Sequence, residues 1–180
     1  AYNIGVDECI NAVEPDGTLR TGLEWGGVWT RDVSYSTILS MAYMQPEAAM
    51  TSLLCKINSK GEIIQDTGTG GAWPCSTDRE IWVGAAWELY KVTGDMKWLK
   101  KVYPAAKKSL EVDIRTVFEA ETGLVKGESS FIDWREQSYP RWMEPADIYD
   151  TKCLGTNMVF YIALTSAAEM GRILGDNATA

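Results

Sequence analysis

The chain has 180 residues, a size at which one apolar core can close, and carries 17 basic against 25 acidic residues for a formal charge of -8. That balance, with no Lys/Arg-rich run, argues against nucleic acid or an anionic membrane surface as partner, and no apolar run reaches membrane-spanning length. There is no histidine, and Cys9, Cys55, Cys75 and Cys153 lie far apart. Zinc-finger spacings, Cys-His dyads and Ser-His-Asp triads are therefore excluded, and any catalysis falls to carboxylates, Lys, Tyr or a ligand.

The cysteines read as buried thiols packing as small hydrophobes. The opening Ala1-Tyr2-Asn3-Ile4 has neither an initiator Met nor a basic-then-apolar leader, and Asp176-Asn177-Ala178-Thr179-Ala180 stops where a further helix would be capped. Residues 1–180 thus read as a single domain that is a piece of a larger one.

Apolar residues recurring at three and four predict a first helix over about 4–13, stopped by the turn Glu14-Pro15-Asp16-Gly17. Asp32 is expected to cap a second helix, with Tyr35, Ile38, Leu39, Ala42 and Tyr43 on one face, until Gln45-Pro46 interrupts it. Pro46 fits the first turn of a third, which Ala49, Leu53, Leu54 and Ile57 carry to the turn at Asn58-Ser59-Lys60-Gly61. Residues 61–76, rich in Gly, Thr and Pro, read as a long loop; Gly68–Gly71 lack the Lys-Ser/Thr ending of a phosphate loop.

A fourth helix starts near Thr77-Asp78 and runs through Trp82 and Leu89 to Thr93-Gly94. Asp95 caps the fifth, in which Tyr103-Pro104 predicts a bend. A turn with a short extended piece follows over 121–127, then a second long loop to Lys152 and a sixth helix over about 154–174, ended by Gly175-Asp176. Trp82, Trp87 and Trp98 lie on helical stripes and read as core.

The segments 85–95 and 167–176 share an Ala pair, an acidic residue, an apolar residue and a Gly-Asp stop, which points to stacked helical hairpins. Long loops fall at alternate junctions, over 18–31, 61–77 and 120–153. An up-and-down array brings them to one rim, where they converge on a cleft carrying Glu24, Trp25, Trp29, Arg31, Asp32, Trp73, Asp78, Arg79, Asp133, Trp134, Arg135, Glu136 and Trp142. Asp78-Arg79 also fits a surface ion pair.

Trp29-Thr30-Arg31-Asp32 is the most informative stretch, because a stacking indole, a bidentate guanidinium and a carboxylate are the groups that hold a sugar. Followed by an apolar helix, it resembles the first sugar-binding motif of glucoamylase-like enzymes. Ile132-Asp133-Trp134, with Gly155-Thr156 at a helix start, is similar to the later motif of bacterial α-L-rhamnosidases. Both are six-hairpin glycosidases, in which twelve helices form an (α/α)6 toroid. The resemblance spans nearly the whole chain and implies an all-α fold: helical hairpins making about half of such a toroid, with long loops on one rim.

It further implies an exo-acting, inverting glycoside hydrolase that needs no cofactor or metal, with carbohydrate as partner together with the remaining half of its own catalytic domain. The substrate class points to a periplasmic or secreted setting. By resemblance Arg31 and Asp32 grip hydroxyls at the cleavage subsite, and Trp29, Trp73, Asp78, Arg79, Trp134, Arg135 and Trp142 join them in binding. Three carboxylates compete for the general acid. Asp133 and Glu136 occupy the mid-ring region, and Glu24 stands one residue out of step with the rhamnosidase position upstream of the first Trp. The mechanism asks for an acid kept protonated among aromatics and a base on the other side of the bond. That base comes from later hairpins, so the 180 residues alone are expected to be inactive. A carbohydrate-binding or lyase-like toroid without catalysis, and a helical-repeat scaffold, are the alternatives.

Overall fold

The computed structural model describes residues 1–64, 78–127 and 139–176. Helix α1 covers Tyr2–Asn11. Helix α2, Thr30–Ser36, continues through a π-helical turn, Thr37–Met41, into α3, Ala42–Met44. Gln45 alone separates this from α4, Pro46–Cys55, with Pro46 in the first turn, where its missing N–H costs no bond. A 3-10 turn, Asp78–Glu80, leads into α5, Ile81–Thr93. Helix α6, Met96–Thr116, is followed by the two-residue strands β1, Phe118–Glu119, and β2, Leu124–Val125. A short α7, Pro145–Tyr149, which sequence periodicity did not indicate, precedes α8, Leu154–Leu174.

Helix α5 is the centre of the packing. It lies between α2 and α8, with α4 and α6 also against it. Ile81, Trp82, Val83, Gly84, Ala85, Ala86 and Leu89 are all buried, and each large apolar side chain among them contributes about 1.5–3 kcal/mol by leaving water. Gly84 is where neighbours meet over the helix: a Cβ there would lie 3.2 Å from Ile162 Cγ2 of α8 and 3.6 Å from Ile38 Cδ1 of the π turn. Trp82 is buried and donates Nε1–H to Leu53 O, while Trp98 donates to Ala86 O, so both indoles are core anchors with satisfied polar edges. Trp87 packs partly buried against that core.

Helix stops follow the Gly-Asp pattern. Gly94 and Gly175 end α5 and α8 in the left-handed conformation. Asp95 caps α6 by accepting from Lys97 N at 2.7 Å. Pro104 lies within α6 and is exposed, so the backbone bond it removes is on the solvent side of the helix.

Helices α1, α4 and α6 each end in the same small device, a two-stranded turn with a positive-φ glycine. Val13 pairs with Leu19 around Gly17, Ile57 with Ile63 around Gly61, and β1 with β2 around Gly123. In every case the residue two past the glycine is held by the next layer. Leu19 N–H donates to Ser52 Oγ on α4, Ile63 N–H to Ser109 Oγ on α6, and Val125 N–H to Asn157 Oδ1 on α8. The chain is therefore built from repeated helix pairs whose turns key into the neighbouring pair, as the sequence echo predicts.

Three expectations need correction. Asp32 is not the cap of the second helix: Trp29 occupies that position and Asp32 lies in the first turn. The face read as apolar is partly rotated: Ala42 is buried and Ile38 packs against the core, but Leu39 and Tyr43 are 77% and 64% exposed, and Thr30, Val33, Ser34, Thr37 and Met41 are buried instead. The hydroxyls make that burial possible by bonding backbone carbonyls, Thr30 to Ile64 O and Ser34 to Thr30 O. Among the described cysteines none is fully buried: Cys55 is exposed and Cys9 and Cys153 are half-buried. Cys75 lies outside the described residues.

Candidate functional site

The segment entering α2 is laid down by backbone bonds before any side chain acts. Gly22 and Trp25 exchange both of their backbone hydrogen bonds at 3.2 Å, closing a tight turn that leaves Leu23, Glu24 and Trp25 facing solvent. Gly27, at φ 88, then turns the chain toward the helix. Thr30, 1% exposed, is the anchor, with its hydroxyl on Ile64 O, while Lys56 Nζ binds Val28 O at 2.8 Å. Trp29, Arg31 and Asp32 on either side of that anchor stay half-exposed.

Trp25 and Trp29 meet edge to face with ring centroids 6.2 Å apart, and Trp29 Nε1–H donates to Gly26 O at 3.4 Å. Arg31 Nε lies 4.0 Å from Asp32 Oδ2. Asp32 also reaches into a pocket of about 230 Å³ that Glu8, Arg20, Thr21, Ser36, Leu19 and Met41 help to line. Arg20 is drawn toward Glu14 at 3.7 Å. Glu8, Arg20 and Ser36 are absent from the sequence reading, since nothing in their spacing distinguishes them from helix-surface polar residues.

The turn Asp78–Glu80 packs against both α2 and α8. Arg79, however, is 1% exposed and its guanidinium binds Asp113 Oδ1, so it is neither a surface ion pair nor displayed at the rim. Glu80 beside it is also buried. Burial pushes the Asp113 carboxyl above its ordinary value, and Arg79 pulls in the opposite direction. Asp113 sits on the buried stripe of α6 after Val102, Ala106 and Leu110, and a charge in that register is a signal the sequence offers. Only the backbone of Asp78 is described.

At the start of α8, Thr156 is buried and Asn157 clasps Val125, accepting from its N–H and donating to its carbonyl at 3.1 Å. Trp142, 70% exposed, stands on the turn before α7. Glu24 is on the exposed Gly22–Trp25 turn. The structure thus sets Trp25 against Trp29, and Arg31 beside Asp32 in the segment that follows, while Trp73, Asp133, Trp134, Arg135 and Glu136 lie outside the described residues. Among the described residues no group of His, Cys, Asp and Glu is placed to hold a metal, and no helix is long and apolar enough to cross a membrane.

A family model described as the bacterial alpha-L-rhamnosidase 6 hairpin glycosidase domain matches residues 29–180. No curated protein and no solved structure matches the chain.

Proposed function

Since the chain belongs to the bacterial α-L-rhamnosidase six-hairpin glycosidase family, we propose that it forms the sugar-gripping side of a glycosidase cleft. The observation that carries this reading is the succession of two contacting pairs, Trp25 with Trp29 and Arg31 with Asp32, along a segment fixed at the head of α2 by the buried Thr30. Aromatic edge, guanidinium and carboxylate match a sugar's faces and hydroxyls. The family points to terminal α-L-rhamnosides as the substrate class, cleaved in exo fashion with inversion.

In this reading Asp133, Glu136 and Glu24 supply the candidates for the acid, and Trp73, Asp78, Trp134, Arg135 and Trp142 the further binding residues, while the buried Arg79 serves the fold. The base belongs to further hairpins. Two facts support that division: the family domain is named for six hairpins while the described residues pair into three, and α8 leaves Leu154, Met158 and Tyr161 at 75%, 58% and 68% exposure on one side.

Calorimetric titration of the chain with L-rhamnose tests the proposal. Asp32→Asn should weaken binding at least tenfold, the effect of losing one charge-assisted hydrogen bond. Equal binding by the variant, or none by the unaltered chain, would sink it. Hydrolysis of an aryl α-L-rhamnoside by the 180 residues alone would refute the assignment of the base to further hairpins.

A further inference from the structure

Helix α1 and the loop after it precede residue 29, where the match to the family begins, yet they build one part of a cavity that α2 completes. The cavity holds about 230 Å³. Helix α1 contributes Glu8, the loop Arg20, and α2 Asp32 and Ser36, which lie one turn apart on a single helix face. Leu19 and Met41, which also line it, belong to the hydrophobic core, so the cavity has an apolar end as well as polar walls.

Those walls offer acceptors and donors together. Glu8 and Asp32 are carboxylates, which accept, and the Arg20 guanidinium, 3.7 Å from Glu14, only donates. The Ser36 hydroxyl gives its proton to Val33 O at 3.0 Å and so presents its lone pairs. An anion here would meet two carboxylates, and an organic cation would meet the guanidinium. Among the described residues no group of His, Cys, Asp and Glu is placed to hold a metal ion. A neutral molecule with several hydroxyls satisfies all of these groups at once. The volume lies below the about 300–1,000 Å³ of sites that enclose drug-sized ligands, which suits a single sugar ring.

We propose that α1 supplies the second wall of the sugar's seat: one sugar ring occupies this cavity, with hydroxyls held by Asp32 and Ser36 of α2 and by Glu8 of α1, and with its deoxygenated edge against Leu19 and Met41. This rests on the sugar-gripping reading of Asp32, and it adds Glu8 and Arg20, which lie outside the family-matched segment, as binding residues. The apolar end favours a 6-deoxyhexose, whose C6 is a methyl group, over a hexose whose C6 hydroxyl would be buried there without a partner.

The cavity is continuous with the aromatic turn. Gly22 lines it and exchanges backbone hydrogen bonds with Trp25, which meets Trp29 edge to face.

Calorimetric titration of the unaltered chain should show L-rhamnose binding about tenfold or more tighter than L-mannose, which differs from it by one hydroxyl at C6. Glu8 is exposed on α1, so Glu8→Gln is expected to fold, and it should weaken L-rhamnose binding about tenfold. Cys9 provides a separate readout, because it lines the cavity whereas the exposed Cys55 does not. Saturating L-rhamnose should slow iodoacetamide alkylation of Cys9, followed by peptide mass spectrometry, and leave that of Cys55 unchanged. Unaltered affinity in Glu8→Gln, or an unprotected Cys9, while Asp32→Asn still weakens binding, would overturn this cavity as the seat and leave the sugar-gripping reading standing. Equal affinity for L-rhamnose and L-mannose would overturn it as well. No binding by the unaltered chain would remove the underlying reading and the cavity's role with it.

Discussion

The backbone N–H of Leu19 donates to Ser52 Oγ at 2.7 Å, and both groups are buried. The serine hydroxyl in turn donates to Ala48 O one turn earlier in α4, so one small side chain joins a turn to a helix and is itself satisfied. Ser52→Ala strands the Leu19 N–H in the core, which costs about 1–3 kcal/mol. Ser109→Ala, at the matching position for Ile63, should cost a similar amount. Urea unfolding of the two variants checks this, and a loss below about 0.5 kcal/mol in both would show that the turns are held by packing alone.

Gly171 of α8 faces Tyr103, whose hydroxyl donates to Asp176 at 2.9 Å beside Lys107. A Cβ on Gly171 would lie 2.8 Å from the Tyr103 hydroxyl oxygen and 3.3 Å from the Asp176 carbonyl. Alanine gains about 1 kcal/mol of helix propensity, but overpacking costs about 1–3 kcal/mol and here displaces a hydrogen-bonded group. Gly171→Ala is expected to lower the thermal midpoint. Gly155→Ala, which meets nothing within 4 Å, is expected to leave it unchanged or raise it.

Removing the Arg79 guanidinium takes from the buried Asp113 the cation it is paired with. Breaking a buried pair from one side costs about 3–5 kcal/mol, so Arg79→Ala should be among the most damaging single changes to the fold. A chemical-denaturation midpoint close to that of the unaltered chain would contradict it.

Glu119 receives Lys152 Nζ at 2.7 Å and the Thr122 hydroxyl at 2.8 Å, and these hold its carboxyl below the usual glutamate range, with Lys152 the larger cause. A lowered folded-state value means that the contribution is present above the ordinary value of about 4.3 and is lost as pH falls through the folded one. Carboxyl carbon NMR should place the Glu119 midpoint below that of a free glutamate. Lys152→Met should move it back up; no movement would show that the lysine is not its cause.

Helix extent was readable wherever a local signal ended it. Gly94 and Gly175, the Asp95 cap and Pro46 mark element ends in sequence and in structure alike. The buried face of α2 was not readable, because hydroxyl residues hidden by their bonds to backbone carbonyls look polar in sequence. Of the site, the cluster at the head of α2 was legible as a motif, since its residue types announce their chemistry. The Arg79–Asp113 bond was not, because it joins residues 34 apart whose partnership depends on how α5 packs on α6.

The π-helical turn Thr37–Met41 separates the two ends of one continuous helical run. A turn that spans an extra residue advances the angular phase of everything after it. The portion bearing Arg31 and Asp32 and the portion bearing Met41 and Ala42 are thereby aimed independently, one outward and one at the interior. A single-residue deletion within 37–41 would restore α-helical winding and rotate one portion against the other. The ring of contacts below and the display of side chains above would then no longer be set at the same time.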